Sequence, residues 1–409
     1  MQTENKTILG LIISNAVSFK VIIIFFMTIF LIIPLALIDD QISDRKKYEA
    51  EAQSEVAKGW GGDVIFGAPV WTGGEKSIYS ANSETRIYID SKEKKRGIFK
   101  VPVYVATLNA KVKFIPPAEA PNLKLPDSGY MTIAVNPVSS IQSYRIREAA
   151  TGRELNAKVD DYGLRLPVTE LSGKDIFATE LEIEISSRGT GPVKYESTAD
   201  SDKIMMTGNW AKPKFTEQLL PDETKMRRDG FEASWFLQSV PKWESSSRDT
   251  RSIGLSHLWV ATDYAKVERA VKYGQLFIAL TFLLMFIVEF TSKSKIHPFQ
   301  YGLIGISISV FYLLLLAISE NTGFDFAYAI SSVAVAGLIV FYSGGFLKQK
   351  KFVLMLLVEQ VVLSGFFYVL LGLEEKAFLI GSIGLFAALA IFMSVTRRLD
   401  WYSGTFRLE

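Results

Sequence analysis

Apolar positions fall into two regimes along the chain. From Tyr273 to Thr396 they are almost continuous, broken by four short polar stretches into the runs Tyr273–Phe290, Phe299–Ser319, Phe326–Leu347, Phe352–Leu373 and Ala377–Thr396. Each run has roughly the 17–25 residues that carry an α-helix across a hydrocarbon core. A helix is expected because it pairs each backbone N–H and C=O within its own segment where no water is available. Val21–Ile38, near the start, is a further uncharged run. From Asp63 to about Glu268 the period changes to two: Arg86–Asp90, Phe99–Val105, Tyr130–Val135 and Glu180–Ile185 alternate polar with apolar residues. In the last of these, Leu181, Ile183 and Ile185 share one face and three glutamates the other. Turn signals separate the strands, among them Lys95-Arg-Gly97, Pro116-Pro117, Asp127-Ser-Gly129 and Asp229-Gly230. Many short strands at this spacing predict a sandwich-like all-β domain.

The remaining segments connect these regimes. Ile8, Ile12, Ala16 and Phe19 recur at helical spacing between Lys6 and Lys20, which either lies in the membrane interface or extends the first span. Val21–Ile38 is longer than the apolar core of a signal peptide, and Ala50-x-Ala52 lies too far beyond it to act as a cleavage site, so an uncleaved anchor is expected. Asp39–Lys58 is charged and helix-prone, and stops at Gly59-Trp60-Gly61-Gly62. The chain thus divides into an interfacial or cytoplasmic segment 1–20, a span 21–38, a connecting helix 39–62, a β-rich domain 63–268, a five-span region 269–396 and a tail 397–409. The expected fold is a six-span membrane α-helical bundle with a large inserted β domain.

Charge orients this plan. Lys293, Lys295 and His297, then Lys348, Lys350 and Lys351, then Arg397 and Arg398 make three basic ends; Glu320 with Asp325, and Glu374 with Glu375, make two acidic breaks. Basic loops stay in the cytoplasm. Both termini are therefore expected inside and residues 39–268 in the periplasm. A formal net charge of +2 over 409 residues gives no case for nucleic acid as a partner. Cysteine is absent, which excludes disulfides, thiolate metal sites and a cysteine nucleophile.

Candidate chemistry is sparse. Gly62-x-x-x-x-Gly67 continues as Ala68-Pro69 and lacks the lysine of a phosphate loop. His257 and His297, the two histidines, are expected on opposite sides of the membrane, so they cannot share a site. No cofactor, metal set or catalytic set is expected. The basic clusters Lys92–Arg96 and Lys225–Arg228 read as solvated turns or as contacts to anionic lipid or glycan. Carboxylates within apolar runs are costly. Glu289 and Glu320 lie near run ends and can reach water; Glu359, beside Gln360, lies about two turns into its run and either serves a function or fixes helix packing. Two further places stand out, each with a functional and a merely structural reading: Trp210, Phe231 and Trp235 in an aromatic and basic segment, which serve a function or are core, and His297, Gln300 and Tyr301 in an inner loop, where Pro298 suits a helix start.

Over almost its whole length the sequence resembles the CreD-type inner-membrane proteins of Gram-negative bacteria. The resemblance rests on Trp60-Gly-Gly62; Lys95 to Tyr104; Gly208, Trp210, Phe215, Leu219, Leu220, Pro221, Gly230, Phe231, Ala233 and Trp235; Asp263-Tyr264 and Arg269 to Gly274; Glu289; His297-Pro-x-Gln-Tyr301; Phe311 to Leu316; Ser319-Glu320; and Arg397-Arg398-x-Asp400-Trp401. Glu359 is not part of this pattern. The resemblance implies a role in cell-envelope integrity and in a stress-responsive regulon, without an established catalytic residue, cofactor or substrate. The expected protein is non-enzymatic, held in the lipid bilayer, with its outer domain contacting an envelope component or partner protein. The alternatives are a transporter or lipid-handling protein using Glu289, Glu320 and Glu359, and a hydrolase with paired carboxylates in a deep cleft of the β domain.

Overall fold

The structure is a computed structural model describing residues 16–73, 76–116, 128–171, 175–210, 213–215, 219–238, 250–257, 263–292, 294–373, 376–397, 399–400 and 405–406. It forms two compact units, Met1–Lys47 with Ala261–Glu409, and Tyr48–Val260. The expected interfacial segment lies outside the described residues as far as Asn15, as do Lys293, Glu374, Glu375, Arg398 and Trp401.

The first unit is helical. Helices α1 (Ala16–Phe30) and α2 (Ile32–Trp60) are separated only at Leu31. Pro34 has no N–H for the carbonyl of Phe30, which interrupts the ladder there. The boundary between the units falls inside α2, after Lys47. The later helices are α3 (Asp263–Ser292), α4 (Pro298–Thr322), α5 (Phe324–Phe346), α6 (Lys350–Gly372) and α7 (Ala377–Thr396). Helix α3 starts before Glu268, where strand structure was expected to end. Asp263 in its first turn suits the positive helix end, and Glu268 and Lys272, one turn apart, pair at 2.7 Å. Among the described residues six helical segments are long and apolar enough to cross a membrane: Phe19–Trp60, Gly274–Ser292, Pro298–Thr322, Phe324–Phe346, Lys350–Gly372 and Ala377–Thr396. Close approach needs small residues. A Cβ on Gly305 would stand 2.2 Å from Leu31 Cδ1 and 2.9 Å from Phe282 Cζ.

The second unit is built from strands β1 (Val64–Gly67), β2 (Val70–Gly73), β3 (Lys76–Tyr79), β4 (Asn82–Arg96), β5 (Phe99–Lys113), β6 (Tyr130–Asn136), β7 (Ile141–Glu148), β8 (Lys158–Asp160), β9 (Gly163–Pro167), β10 (Glu180–Gly189), β11 (Val193–Ser197), β12 (Ser201–Gly208), β13 (Pro213–Phe215), β14 (Glu223–Met226), β15 (Phe231–Gln238) and β16 (Arg251–His257). One sheet runs β13-β16-β11-β1-β6-β2-β3, with β9 on β6 and β8 on β9; the other runs β14-β15-β12-β4-β5-β10-β7. Among the described strands only β1 with β11 and β4 with β12 pair in parallel. Strands β4 and β5 extend well past the alternating residues that predicted them. Ser91–Arg96 has no apolar alternation, yet the hairpin ladder continues to Arg96 opposite Phe99. The inward faces of both sheets fill one core, with Phe66, Trp71, Leu166 and Tyr195 from the first sheet and Ile87, Leu108, Ile183 and Trp235 from the second.

A polar cluster is buried within this core. Asp202 is 0% exposed, and its Oδ2 accepts from Ser197 Oγ at 2.7 Å and Tyr195 OH at 3.1 Å. Thr85 Oγ1 donates to Tyr195 OH at 3.2 Å. The bonds run from β12 and β4 of one sheet to β11 of the other. Burial pushes the Asp202 carboxyl above the usual carboxylate range, while bonds from Ser197, Tyr195 and Ser83 and the charge of Arg251 pull it down.

Two outcomes follow for the β unit. Gly163 has φ +135°, and a Cβ there would stand 2.2 Å from the carbonyl oxygen of Ile133. Gly163→Ala is expected to destabilise the unit by about 2 kcal/mol, read by denaturant unfolding followed through tryptophan fluorescence. Because the folded-state pKa of Asp202 is raised, the folded form holds its proton more tightly than the unfolded chain. Its contribution is then fully present below the unfolded value of about 4 and is lost as pH rises through the folded value. Asp202→Asn is expected to flatten stability against pH over that window; an unchanged slope would show that the carboxyl does not titrate there.

Candidate functional site

Of the sequence candidates in the helical unit, His297, Gln300 and Tyr301 gather around Glu289, in the last turn of α3. The next helix starts with a capping box: Phe299 N donates to His297 Nδ1 at 3.2 Å, and His297 N to Gln300 Oε1 at 2.8 Å, with Pro298 in the first turn. This start places Tyr301 against α3, where its ring is 0% exposed and meets Phe282 edge-on at 5.5 Å. Tyr301 OH donates to Glu289 Oε2 at 3.1 Å. Glu289 Oε1 accepts from Ile296 N at 3.1 Å and pairs with Lys20 Nζ of α1. Lys20 also donates to the Ile296 carbonyl at 2.7 Å. Both side chains are largely buried, at 19% exposure for Lys20 and 11% for Glu289. Every oxygen of the carboxylate is thus engaged, and the arrangement fastens α1, α3 and the start of α4 together. His297 and Gln300 shape the helix start, while Glu289 and Tyr301 form the knot. Lys20 was legible only as a cation that orients the chain; its partner lies 269 residues away.

The other two carboxylates belong to separate networks. Glu320, near the end of α4, meets Arg45 Nε at 3.2 Å and Tyr264 OH at 3.2 Å. Nearby in sequence, Glu268 is bonded by Lys272 and Lys46, which hold its carboxyl below the usual range. Glu359 Oε2 accepts from Gln360 Nε2 at 2.9 Å, and the same amide donates to Thr281 Oγ1 of α3 at 3.1 Å. Glu359 Oε1 is buried without a hydrogen-bond partner among the described residues. No hydrogen bond among the described residues links Glu289, Glu320 and Glu359 to one another.

Trp210, Phe231 and Trp235 are core residues of the β unit. Trp210 packs on Tyr104 at 5.8 Å and Phe231 at 6.2 Å, and Phe215 meets Trp235 at 5.9 Å. Trp235 Nε1 donates to the Leu219 carbonyl at 3.1 Å. Their side chains are almost wholly buried and pack within the unit.

One surface escaped the sequence. On the outer face of the β14-to-β7 sheet, Lys203, Glu84, Lys111, Glu182 and Arg147 stand directly opposite one another across five strands, alternating in sign. The next row carries Arg86, Asn109, Glu184 and Arg145. Arg86 bonds Glu84 at 2.7 Å and Lys111 bonds Glu182 at 2.9 Å, around a depression that these residues line. Each carboxylate there faces a base, which suits a polar contact surface better than a free acid–base pair. Strand alternation announces such a face, but only the register makes a ladder of it. Among the described residues no group of three or more His, Asp or Glu side chains is gathered as a metal site.

The sequence matches the family described as Inner membrane protein CreD over residues 16–88 and 72–402, which takes in both units. It is 27% identical over 426 aligned positions to Inner membrane protein CreD of Escherichia coli (strain K12), with 94% of this chain and 93% of that protein covered. On this ground the chain belongs to the CreD family of inner membrane proteins.

Proposed function

We propose that this is a non-enzymatic, stress-responsive envelope-integrity protein of the inner membrane. In this reading six helices span the bilayer, both termini are cytoplasmic, and the β unit works in the periplasm by contacting an envelope component or partner protein. The observation that carries it is the pairing of Glu289 with Lys20 and Tyr301, and of Glu320 with Arg45 and Tyr264. Carboxylates closed in this way hold helices together. A polar path for a transported solute needs groups that exchange partners. The alternating charges of the outer sheet face offer the β unit a broad polar contact surface. The basic breaks support cytoplasmic termini. A second reading, a transporter or lipid-handling component, draws on one feature: the buried Glu359 Oε1 without a partner.

A reporter active only outside the cytoplasm, fused after residue 150, is expected to be active; activity from a cytosol-only reporter at that point would sink the topology. In proteoliposomes, Glu289→Gln, Glu320→Gln, Glu359→Gln together are expected to leave solute and lipid flux unchanged. The same variant should lose about 3 kcal/mol of stability in detergent, because Lys20 is left without its counter-charge. Flux that falls with intact folding would favour the second reading.

A further inference from the structure

The β4–β5 hairpin reaches beyond its sheet. The neighbouring strands stop at Ile89 on the β12 side and at Tyr104 on the β10 side, whereas β4 and β5 stay paired from Asn82 opposite Lys113 to Arg96 opposite Phe99. The arm from Lys92 to Val103 therefore stands outside the sheet, closed by Gly97, at φ +62°, and Ile98. Residues directly opposite share a face in an antiparallel ladder. One face of the arm carries Lys92, Lys94 and Arg96 with Val101 and Val103. It is satisfied within the domain. Arg96 pairs with Glu55 at 2.8 Å, Lys94 Nζ lies 3.6 Å over the Trp60 ring, Lys92 pairs with Asp90 at 3.0 Å, and both valines are buried. The arm is thereby held in place by the end of α2.

The other face is not satisfied. Beyond Glu93, which lies on this face opposite Pro102, Lys95 and Lys100 stand directly opposite each other, both exposed, and neither has an ion-pair or hydrogen-bond partner among the described residues. Like charges in this position repel. At the tip between them Ile98 is 49% exposed. A hairpin that needed only to stay soluble gains nothing from an exposed isoleucine at its end. Two unmet lysines flanking an apolar tip match the boundary of an anionic bilayer, where phosphates receive the charges and the side chain enters the headgroup layer. A protein of an inner-membrane family is held at such a surface at high effective concentration.

From this we infer that the Lys95–Ile98–Lys100 tip is a lipid-binding element that docks on anionic phospholipid headgroups. The inference goes beyond the proposed function and holds for whichever leaflet the domain faces.

The absence of cysteine makes the test direct. The full chain carrying Ile98→Cys is labelled with an environment-sensitive fluorophore. It is placed in nanodiscs of phosphatidylcholine alone or with an equal part of phosphatidylglycerol, each doped with a headgroup-spin-labelled lipid. Strong quenching is expected in the anionic discs, with little in the neutral ones. Adding Lys95→Gln and Lys100→Gln should weaken docking by about 25-fold, from roughly fivefold per lysine. Both lysines are exposed, and circular dichroism of the double variant checks that the fold is unchanged. Quenching that is absent from anionic discs, or equal with and without the lysines, overturns the proposal. So does a lysine-dependent emission shift on adding soluble polyphosphate to neutral discs while anionic discs give no quenching, which would assign the tip to a soluble polyanion.

Discussion

A carboxylate that stays ionised inside an apolar helical unit requires a counter-charge within that unit. The Lys20–Glu289 pair shows what this requirement does here. Its members come from α1 and α3, and the Tyr301 hydroxyl and the Ile296 backbone complete the coordination. Breaking such a pair leaves a buried ion uncompensated, which costs far more than the pair itself contributes. The bond therefore acts chiefly as a constraint. It fixes which helices meet at that level, while small residues such as Gly305 and facing rings such as Phe277 and Phe367, at 5.6 Å, set how closely they meet. Glu320 with Arg45 imposes a second constraint between α4 and α2.

The β unit follows the same logic with neutral partners. Asp202 is buried between two sheets whose remaining contacts are largely apolar, and Ser197, Tyr195 and Thr85 build a polar island around it. Apolar packing alone tolerates shifts of one sheet over the other. A buried hydrogen-bonded cluster does not, since any slip leaves a polar group without a partner. The two units thus use polar groups sparingly, at points where helices or sheets must be held in one relation.

Outside these cores the polar residues are arranged differently. The alternating rows on the outer sheet face set each carboxylate against a base, while the hairpin tip leaves like charges opposite each other. The first arrangement offers a broad polar surface, and the second concentrates unmet charge at one apolar point. That contrast separates two kinds of polar surface on one domain.

The sequence by itself determined the kinds of element and their order. Continuous apolar runs announce helices, alternation announces strands, and both are properties of neighbouring residues. It also singled out His297, Gln300 and Tyr301 as one place, because they lie within five residues, and Glu289 separately, as a carboxylate near the end of an apolar run. Only the tertiary structure decided what they do. Lys20 is 269 residues from Glu289, the Lys95–Lys100 opposition depends on hairpin register, and the packing of the sheets decided between the two readings of Trp210, Phe231 and Trp235 by placing them in the core. Periodicity records which face a side chain takes, whereas pairing depends on which distant face arrives opposite it, and no local pattern carries that information.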